Sequence, residues 1–132
     1  MNKKLLSIVK DLSDFGRLKK CSLVVSHKNK ICGDKVKIYL NIKKNRIDNI
    51  KYHLNSCLFC HASTSALVKI IKKKDINYCI KFVKEILDNQ FGKKNFKKKF
   101  KYLNFLFNKK NISRKDCIYV PIYAINKINK KI

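Results

Sequence analysis

Residues 35–56 read KVKIYLNIKKNRIDNIKYHLNS, and Val, Ile, Leu and Tyr alternate there with polar residues at a period of two. This period is typical of β-strands that bury one face. The alternation is interrupted at Lys44 and Asn45, where a polar pair that contains Asn predicts a turn. We therefore expect an antiparallel hairpin, to which the run SLVVS at residues 22–26 adds a third strand.

Helical spacing appears on both sides of these strands. Apolar residues three and four positions apart predict a short N-terminal helix over residues 5–12. After the strands, the same spacing predicts a helix that starts near residue 60. A further helix is predicted over residues 76–91, and Gly92 is a plausible stop for it.

The C-terminal third is rich in aromatic and apolar residues. Residues 95–107 predict a third helix or a buried aromatic segment. A last helix is predicted from Asp116 to the C-terminus, with Pro121 either in its first turn or two or in a loop that delays its start. The fold class that follows is α+β: a small three-stranded antiparallel sheet packed against C-terminal helices, with a short N-terminal helix, in one domain over residues 1–132.

The chain carries 33 Lys and Arg against 8 Asp and Glu, a formal net charge of +25. Such a charge is typical of proteins that bind nucleic acid or anionic membranes. Only Arg17, Arg46 and Arg114 are Arg, the residue favoured for phosphate and base contacts. Lys, Ile and Asn dominate the composition, so we interpret most of the charge as A/T-rich codon usage and expect no specific nucleic acid. A nucleic-acid-binding module stays a third hypothesis, because Phe and Tyr are interleaved with Lys over residues 96–107.

The sequence shows no targeting segment and no apolar run of membrane-spanning length. We therefore expect a cytoplasmic protein without a membrane partner. In a reducing compartment, the 6 Cys are better interpreted as free thiols or metal ligands than as a disulfide framework.

Three cysteines and one carboxylate lie where predicted elements begin or end. Cys32 and Asp34 flank a glycine before a strand, Cys57 separates a strand from a helix, and Cys117 opens the last helix. Soft thiolates with one hard carboxylate suit zinc or iron–sulfur chemistry. A helix start favours the thiolate and lowers its pKa, which we expect for Cys57 and, beside Arg114, for Cys117.

Each of these cysteines alone also has a structural interpretation, as a small buried hydrophobe. Cys57 and Cys60 form a C-x-x-C, but a second C-x-x-C and a βαβ context are both missing from the sequence. Cys60 is therefore either a core residue or a second thiol beside the site. We interpret His61 as an exposed residue at the helix start rather than a ligand, and Cys21 and Cys79 as structural.

Together the segments NKICGDKVKIYL, NSCLFCHASTSALV and RKDCIYVPIYAI resemble the U-type iron–sulfur cluster assembly scaffold family. This family comprises IscU, SufU and the N-terminal domain of NifU. Its motif residues are matched by Asn29, Cys32, Gly33 and Asp34, then by Cys57, Ala62, Ser63 and Ser65, and finally by Cys117. Two positions depart from the pattern: Lys30 replaces a proline, and Ser56 replaces a glycine.

Within this family the chain is more similar to SufU than to IscU. Cys57 and Cys117 are separated by 59 residues, which leaves room for the additional helical segment of SufU-like members, here residues 92–110. The Leu-Pro-Pro-Val-Lys chaperone motif of IscU is replaced by KNISRKDC. Arg114 matches the SufU-like pattern.

The resemblance implies a scaffold or carrier rather than an enzyme. It implies that Cys32, Asp34, Cys57 and Cys117 hold a transient iron–sulfur cluster, of the 2Fe-2S type, or Zn²⁺. It also implies a cysteine desulfurase as sulfur donor, Cys117 as first persulfide acceptor, and recipient apoproteins that take up the cluster. Two alternatives stay open: a zinc-dependent sulfur-transfer partner that assembles no cluster, and a zinc protein in which the metal is structural.

Overall fold

The computed structural model describes residues 3–89 and 91–131. Within these two ranges, three strands and six α-helices follow one another, with a 3₁₀ helix before the fifth α-helix. They are α1 (Lys3–Val9), β1 (Leu23–Lys28), β2 (Lys35–Lys43), β3 (Arg46–Asn55), α2 (Leu58–Ile71), α3 (Ile76–Asp88), α4 (Lys101–Leu106), the 3₁₀ helix (Lys109–Arg114), α5 (Lys115–Asn126) and α6 (Ile128–Lys131). None of the helices in these two ranges combines the length and the apolar character that crossing a membrane requires.

The three strands form one antiparallel sheet in the order β1-β2-β3, which confirms the predicted α+β class. The hairpin between β2 and β3 turns at Lys44 and Asn45, whose φ angles are 51° and 63°. Two consecutive positive φ values are the requirement of a type I′ turn, the type that matches the twist of adjacent strands. The predicted turn is therefore confirmed, with Asn supplying one of its two left-handed residues.

Helix α5 forms the centre of the core. It packs against α2, α3, β1 and β2, and eight of its twelve residues are buried. A helix that is apolar on nearly every side is stable only when other elements surround it. The position of α5 fixes where its first turn, with Cys117, meets the rest of the molecule.

Pro121 lies in the second turn of α5, as predicted. Because proline has no backbone N–H, it cannot donate the helical hydrogen bond to the carbonyl of Cys117 four residues earlier. The last helix does not run unbroken to the C-terminus as predicted: α5 ends at Asn126, and the N–H of Lys127 bonds to the carbonyl of Ala124 at 3.2 Å. This bond joins residues three apart instead of four, as in a 3₁₀ helix, and it ends α5 before α6 begins.

Two predicted helices were too long, the one over residues 76–91 and the one over residues 95–107. Helix α3 ends at Asp88, and only residues 101–106 of the aromatic segment are helical. The side-chain amide of Asn104 explains part of the difference, because it bonds to the N–H of Phe96 at 2.7 Å and to its carbonyl at 3.1 Å. Side-chain bonds of this kind compete with helical backbone bonds. The alternative prediction of a buried aromatic segment holds for Leu103 and Phe107, which are both buried.

The N-terminal helix is also shorter than predicted and ends at Val9. The chain beyond it is tied to the core by the buried carboxylate of Asp14, which pairs with Lys72 at 2.7 Å. Phe15 then forms a bridge to Tyr52 in β3. The N-terminal segment therefore covers one side of α2 and β3.

Candidate metal centre

Three junctions between elements meet at one point of the fold. Cys32 and Asp34 lie in the loop between β1 and β2, Cys57 is the residue directly before α2, and Cys117 lies in the first turn of α5. Helices α2 and α5 pack against each other, and α5 also packs on β1 and β2. The packing of α5 therefore brings the start of two helices to the β1–β2 loop.

The β1–β2 loop is held by its own hydrogen bonds. The side-chain oxygen of Asn29 accepts the N–H of Ile31 at 2.8 Å, and its backbone carbonyl accepts the N–H of Gly33 at 2.9 Å. Gly33 has a φ of 78°, a conformation that favours glycine. This turn leaves Cys32 exposed and directs Asp34 into the protein.

Cys32, Asp34 and Cys117 form a compact group of potential metal ligands. One donor atom from each lies within 4.8 Å of the others, and the two sulfur atoms are 3.8 Å apart. Distances of this size permit all three donors to bind a single ion after small side-chain movements. The fold brings these three predicted site residues together from sequence positions up to 85 residues apart.

Asp34 is the most informative member of the group. One of its carboxylate oxygens accepts the backbone N–H of Cys57 at 3.2 Å. The other oxygen is buried and has no hydrogen-bond partner within the described residues. A buried oxygen without a partner is unfavourable in water-excluded surroundings, and a cation would satisfy it. Two soft thiols and a hard oxygen are a donor set that fits Zn²⁺ or iron.

Cys57 lies at the edge of the compact group. Its thiol is not among the three donor atoms that lie within 4.8 Å of one another. Its backbone N–H contacts Asp34, and its side chain is one of those that surround Cys117. The structure therefore places the fourth predicted residue next to the group rather than inside it.

The pKa of Cys117 is raised, not lowered as its helix-start position predicts. Burial is the main cause, and the side chains of Cys57, Asp34 and Cys32 also raise this pKa. The prediction was wrong because it considered the helix terminus and Arg114 but not the crowding of thiols and a carboxylate. The guanidinium of Arg114 instead lies over the ring of Phe59, 5.8 Å from its centre.

The other candidate residues are not among the donors that lie within 4.8 Å of one another, although Cys60 is close enough for Asp34 and Cys57 to raise its pKa. Cys60 and Cys79 are fully buried, and burial raises the pKa of each to about 12. His61 is half-buried rather than exposed, and its ring nitrogen lies 3.2 Å from the hydroxyl of Tyr52. Burial lowers the pKa of His61. Sequence proximity to Cys57 therefore does not bring Cys60 or His61 into the site.

The contact of Ser63 with α5 was not predicted from the sequence, where Ser63 is only one residue of a family motif. Its hydroxyl is buried and donates to the carbonyl of Ile118 at 2.6 Å. This bond joins α2 to the residue that follows Cys117. The signal available in the sequence was a run of small polar residues, ASTSA at 62–66, within an otherwise apolar helix.

Replacing Ser63 by Ala should displace the first turn of α5 and so weaken metal binding at Cys117. We expect the zinc affinity to fall by about tenfold, as for residues that orient metal ligands. Competition with a chromophoric chelator measures this affinity. Ser65→Ala is the matched control, because its buried hydroxyl bonds to Ile8 in α1 at 3.4 Å. Equal zinc affinities of the two variants would contradict a positioning role for Ser63.

Comparison with known proteins gives one family. Residues 1–101 match the family described as NifU-like N terminal domain. Over 64 residues the chain is 31% identical to the iron–sulfur cluster assembly scaffold protein IscU 1 of Archaeoglobus fulgidus, which covers 48% of this chain and 42% of that protein. Over 72 residues it is 29% identical to the zinc-dependent sulfurtransferase SufU of Bacillus subtilis, with coverages of 54% and 49%. The chain thus matches less than half the length of either relative.

Solved structures share the fold across almost the whole chain. A putative SufU scaffold protein from Fervidobacterium islandicum superposes with a TM-score of 0.81 at 22% identity, covering 95% of this chain and 93% of that one. A NifU-like N-terminal protein from Brucella abortus gives a TM-score of 0.83 at 15% identity, with coverages of 99% and 92%. At these identities the likeness establishes the arrangement of strands and helices.

Proposed function

Because the chain belongs to the NifU-like N-terminal domain family, we propose that it is an iron–sulfur cluster assembly scaffold. In this role it accepts sulfur from a cysteine desulfurase, binds iron and passes a transient cluster to recipient apoproteins. The cluster, of the 2Fe-2S type, is the cargo of the protein. The chain acts as a carrier and not as an enzyme.

The observation that carries this proposal is the unpartnered buried oxygen of Asp34 between two thiols. A thiol pair alone is explained equally well by core packing, but a buried carboxylate without a partner is not. We propose Cys32, Asp34, Cys57 and Cys117 as the ligands, with Cys57 moving into the group from its place beside Cys117. A carboxylate holds soft metals less firmly than a fourth thiolate, which suits a cargo that must leave.

Cys117 is our candidate for the first sulfur acceptor. Its thiolate attacks the outer sulfur of the donor persulfide, a new S–S bond forms, and the donor leaves as a thiolate. Cys117 is buried, whereas Cys32, 3.8 Å away, is exposed. A donor must therefore approach along the open side of the β1–β2 loop. In the metal-free protein, burial raises the pKa of Cys117, so the thiol has to lose its proton for the attack, and a bound cation would favour this loss.

A second function, zinc-dependent sulfur transfer without cluster assembly, is favoured by one part of the sequence comparison. The relative from Bacillus subtilis is named for this activity. In that case Zn²⁺ would be bound by the same four residues, and Cys117 would still receive the sulfur. Cluster assembly and zinc-dependent sulfur transfer both require reduced thiols, so we propose a cytoplasmic location.

Anaerobic reconstitution tests both functions. The protein is incubated with cysteine, a cysteine desulfurase and either iron or zinc, and visible absorbance, bound metal and persulfide are measured. A scaffold gains cluster absorbance. A sulfur-transfer partner carries persulfide and zinc but gains no cluster, and a structural zinc protein binds zinc without persulfide.

Cys117→Ser should lose persulfide acceptance under these conditions. Its matched control is Cys79→Ser, which removes a fully buried thiol from α3 that lies outside the ligand group. We expect the control to keep metal and sulfur loading once it is folded. If wild-type protein gains neither a cluster nor a persulfide, both proposed functions are wrong.

A further inference from the structure

A groove lies between α3 and the loop of residues 93–100, and its volume is about 720 Å³. We call it the α3 groove. The residues that line it include neither the four proposed metal ligands nor Ser63. The volume is within the range of about 300–1,000 Å³ that is typical of binding pockets. The groove is therefore a separate feature from the metal centre.

The floor of the α3 groove is aromatic. Tyr78 and Phe82 stack in parallel, with ring centres 5.9 Å apart and an interplanar angle of 6°. Phe82 also packs against Phe100 at 5.1 Å. Phe82 is buried, whereas Tyr78 keeps 37% of its surface exposed. The ammonium of Lys74 lies over the Tyr78 ring, 5.7 Å from its centre. The floor thus offers the exposed part of one ring as an anchor point for an apolar or aromatic side chain, which would displace this mobile Lys side chain.

The loop wall of the groove is already fixed by side-chain amides. Asn89 donates to the carbonyl of Lys94 at 2.6 Å and accepts the N–H of Gly92 at 2.6 Å. Asn104 holds the N–H and the carbonyl of Phe96. A wall that is ordered before binding reduces the entropy loss when a ligand arrives.

The charges of the groove are unevenly distributed. Lys93, Lys94 and Lys97 line the loop wall, while Lys81, Glu85 and Asp88 line the wall formed by α3. Within residues 3–89 and 91–131, neither carboxylate forms an ion pair. The loop wall is complementary to a negatively charged ligand.

We propose that the α3 groove docks an acidic peptide segment of a partner protein that carries one aromatic or large aliphatic side chain. The apolar side chain lies on Tyr78, and the acidic side chains face Lys93, Lys94 and Lys97. This proposal concerns a different surface from the metal centre and does not depend on the cluster or sulfur-transfer functions.

A single-stranded nucleic acid fits the groove less well. Its uniformly negative backbone would pass Glu85 and Asp88, which line the same groove. Non-specific binding of single strands uses several exposed rings on which successive bases stack. Among the described aromatic residues of the groove, Tyr78 is exposed, whereas Phe96 and Phe100 are half-buried and Phe82 is buried. None of the described residues that line the groove is Arg. A peptide can instead place its acidic residues on one side only.

Fluorescence anisotropy with a short labelled peptide tests the proposal. The probe has Glu residues around one central Phe, and a second probe has Ser in place of this Phe. We expect the full-length protein to bind the first probe about tenfold more tightly than the second, because the Phe fills the floor. Tyr78→Ala should remove this difference between the probes.

The triple variant Lys93→Gln, Lys94→Gln, Lys97→Gln should bind the Phe probe at least about tenfold more weakly. The matched control, Lys19→Gln, Lys20→Gln, Lys110→Gln, removes the same charge from exposed positions outside the groove and should bind within about twofold of wild type. Equal losses in the two triple variants would show attraction by net charge alone and overturn the proposal. Tighter binding of a single-stranded oligonucleotide, lost in the groove variant only, would also overturn it. Zinc affinity, measured in parallel, should stay unchanged in both variants.

Discussion

Asp34→Ala should make the metal-free protein more stable. The wild-type carboxylate is 7% exposed, and one of its oxygens lacks a partner in the described structure. An unsatisfied buried polar group is unfavourable by about 1–3 kcal/mol, and its removal stabilises the folded state by this amount. The substitution also removes the acceptor of the Cys57 N–H, a bond of 3.2 Å that contributes about 0.5–1.5 kcal/mol. From the difference we expect the melting temperature of this domain to rise by about 2–6 °C. Thermal unfolding in the presence of a chelator measures the change.

The same substitution should reverse its effect when metal is present. Bound metal stabilises the folded state in proportion to the logarithm of its concentration relative to the dissociation constant. If loss of the Asp34 ligand raises the dissociation constant about 100-fold, the stabilisation by zinc falls by about 2.7 kcal/mol. The melting temperatures of wild type and variant should therefore converge or cross as zinc is added.

Asp116→Ala is the control for this pair of effects. Asp116 is one residue from Cys117 and is exposed in the first turn of α5. Its substitution removes the same charge from the same region without touching the ligand group. We expect a stability change below about 0.5 kcal/mol with and without zinc. A metal-free Asp34→Ala that is less stable than wild type would show that the carboxylate is satisfied in the protein in solution.

Gly92→Ala should lower the free energy of unfolding by about 2–4 kcal/mol. Gly92 has a φ of 89°, and a Cβ at this position would overlap with the carbonyl oxygen of Phe107 and lie 3.2 Å from its carbonyl carbon. Both atoms belong to the backbone, so no side-chain rotation relieves the contact. Urea unfolding followed by far-UV circular dichroism measures the loss.

Gly16→Ala separates the two causes of that loss. Gly16 also has a positive φ, 137°, but an added Cβ would meet no atom within 4 Å. It therefore reports backbone strain alone, about 1 kcal/mol. Because the ring of Phe107 packs in tilted and edge-on contacts against Phe91 and Tyr119, Gly92→Ala should also reduce the near-UV signal of these rings. If the two variants lose the same stability, the approach to Phe107 contributes nothing.

The sheet was predictable because its signals are local. Alternation at a period of two sets the strands from residue 35 to residue 55, and the turn between them follows from a polar pair at Lys44 and Asn45. The positions of Cys32, Cys57 and Cys117 at element junctions were predictable for the same reason. Their function as ligands stays a prediction until metal binding is measured.

Other features depend on contacts between distant residues, and local patterns do not contain them. The helical spacing of residues 95–107 gave too long a helix, because Asn104 binds the backbone of Phe96 instead of leaving it to a helix. The pKa of Cys117 depends on neighbours from two other junctions. The bond from Ser63 to Ile118 crosses 55 residues of sequence.

Pro121 gives α5 two mechanical parts. The second part, residues 121–125, is buried except for Tyr123. The first turn is joined to it by one backbone hydrogen bond fewer than in an unbroken helix, because the carbonyl of Cys117 receives none from residue 121. The proposed sulfur acceptor therefore lies on the more weakly held turn of α5. A docking donor would displace this turn at a lower free-energy cost than the rest of the helix.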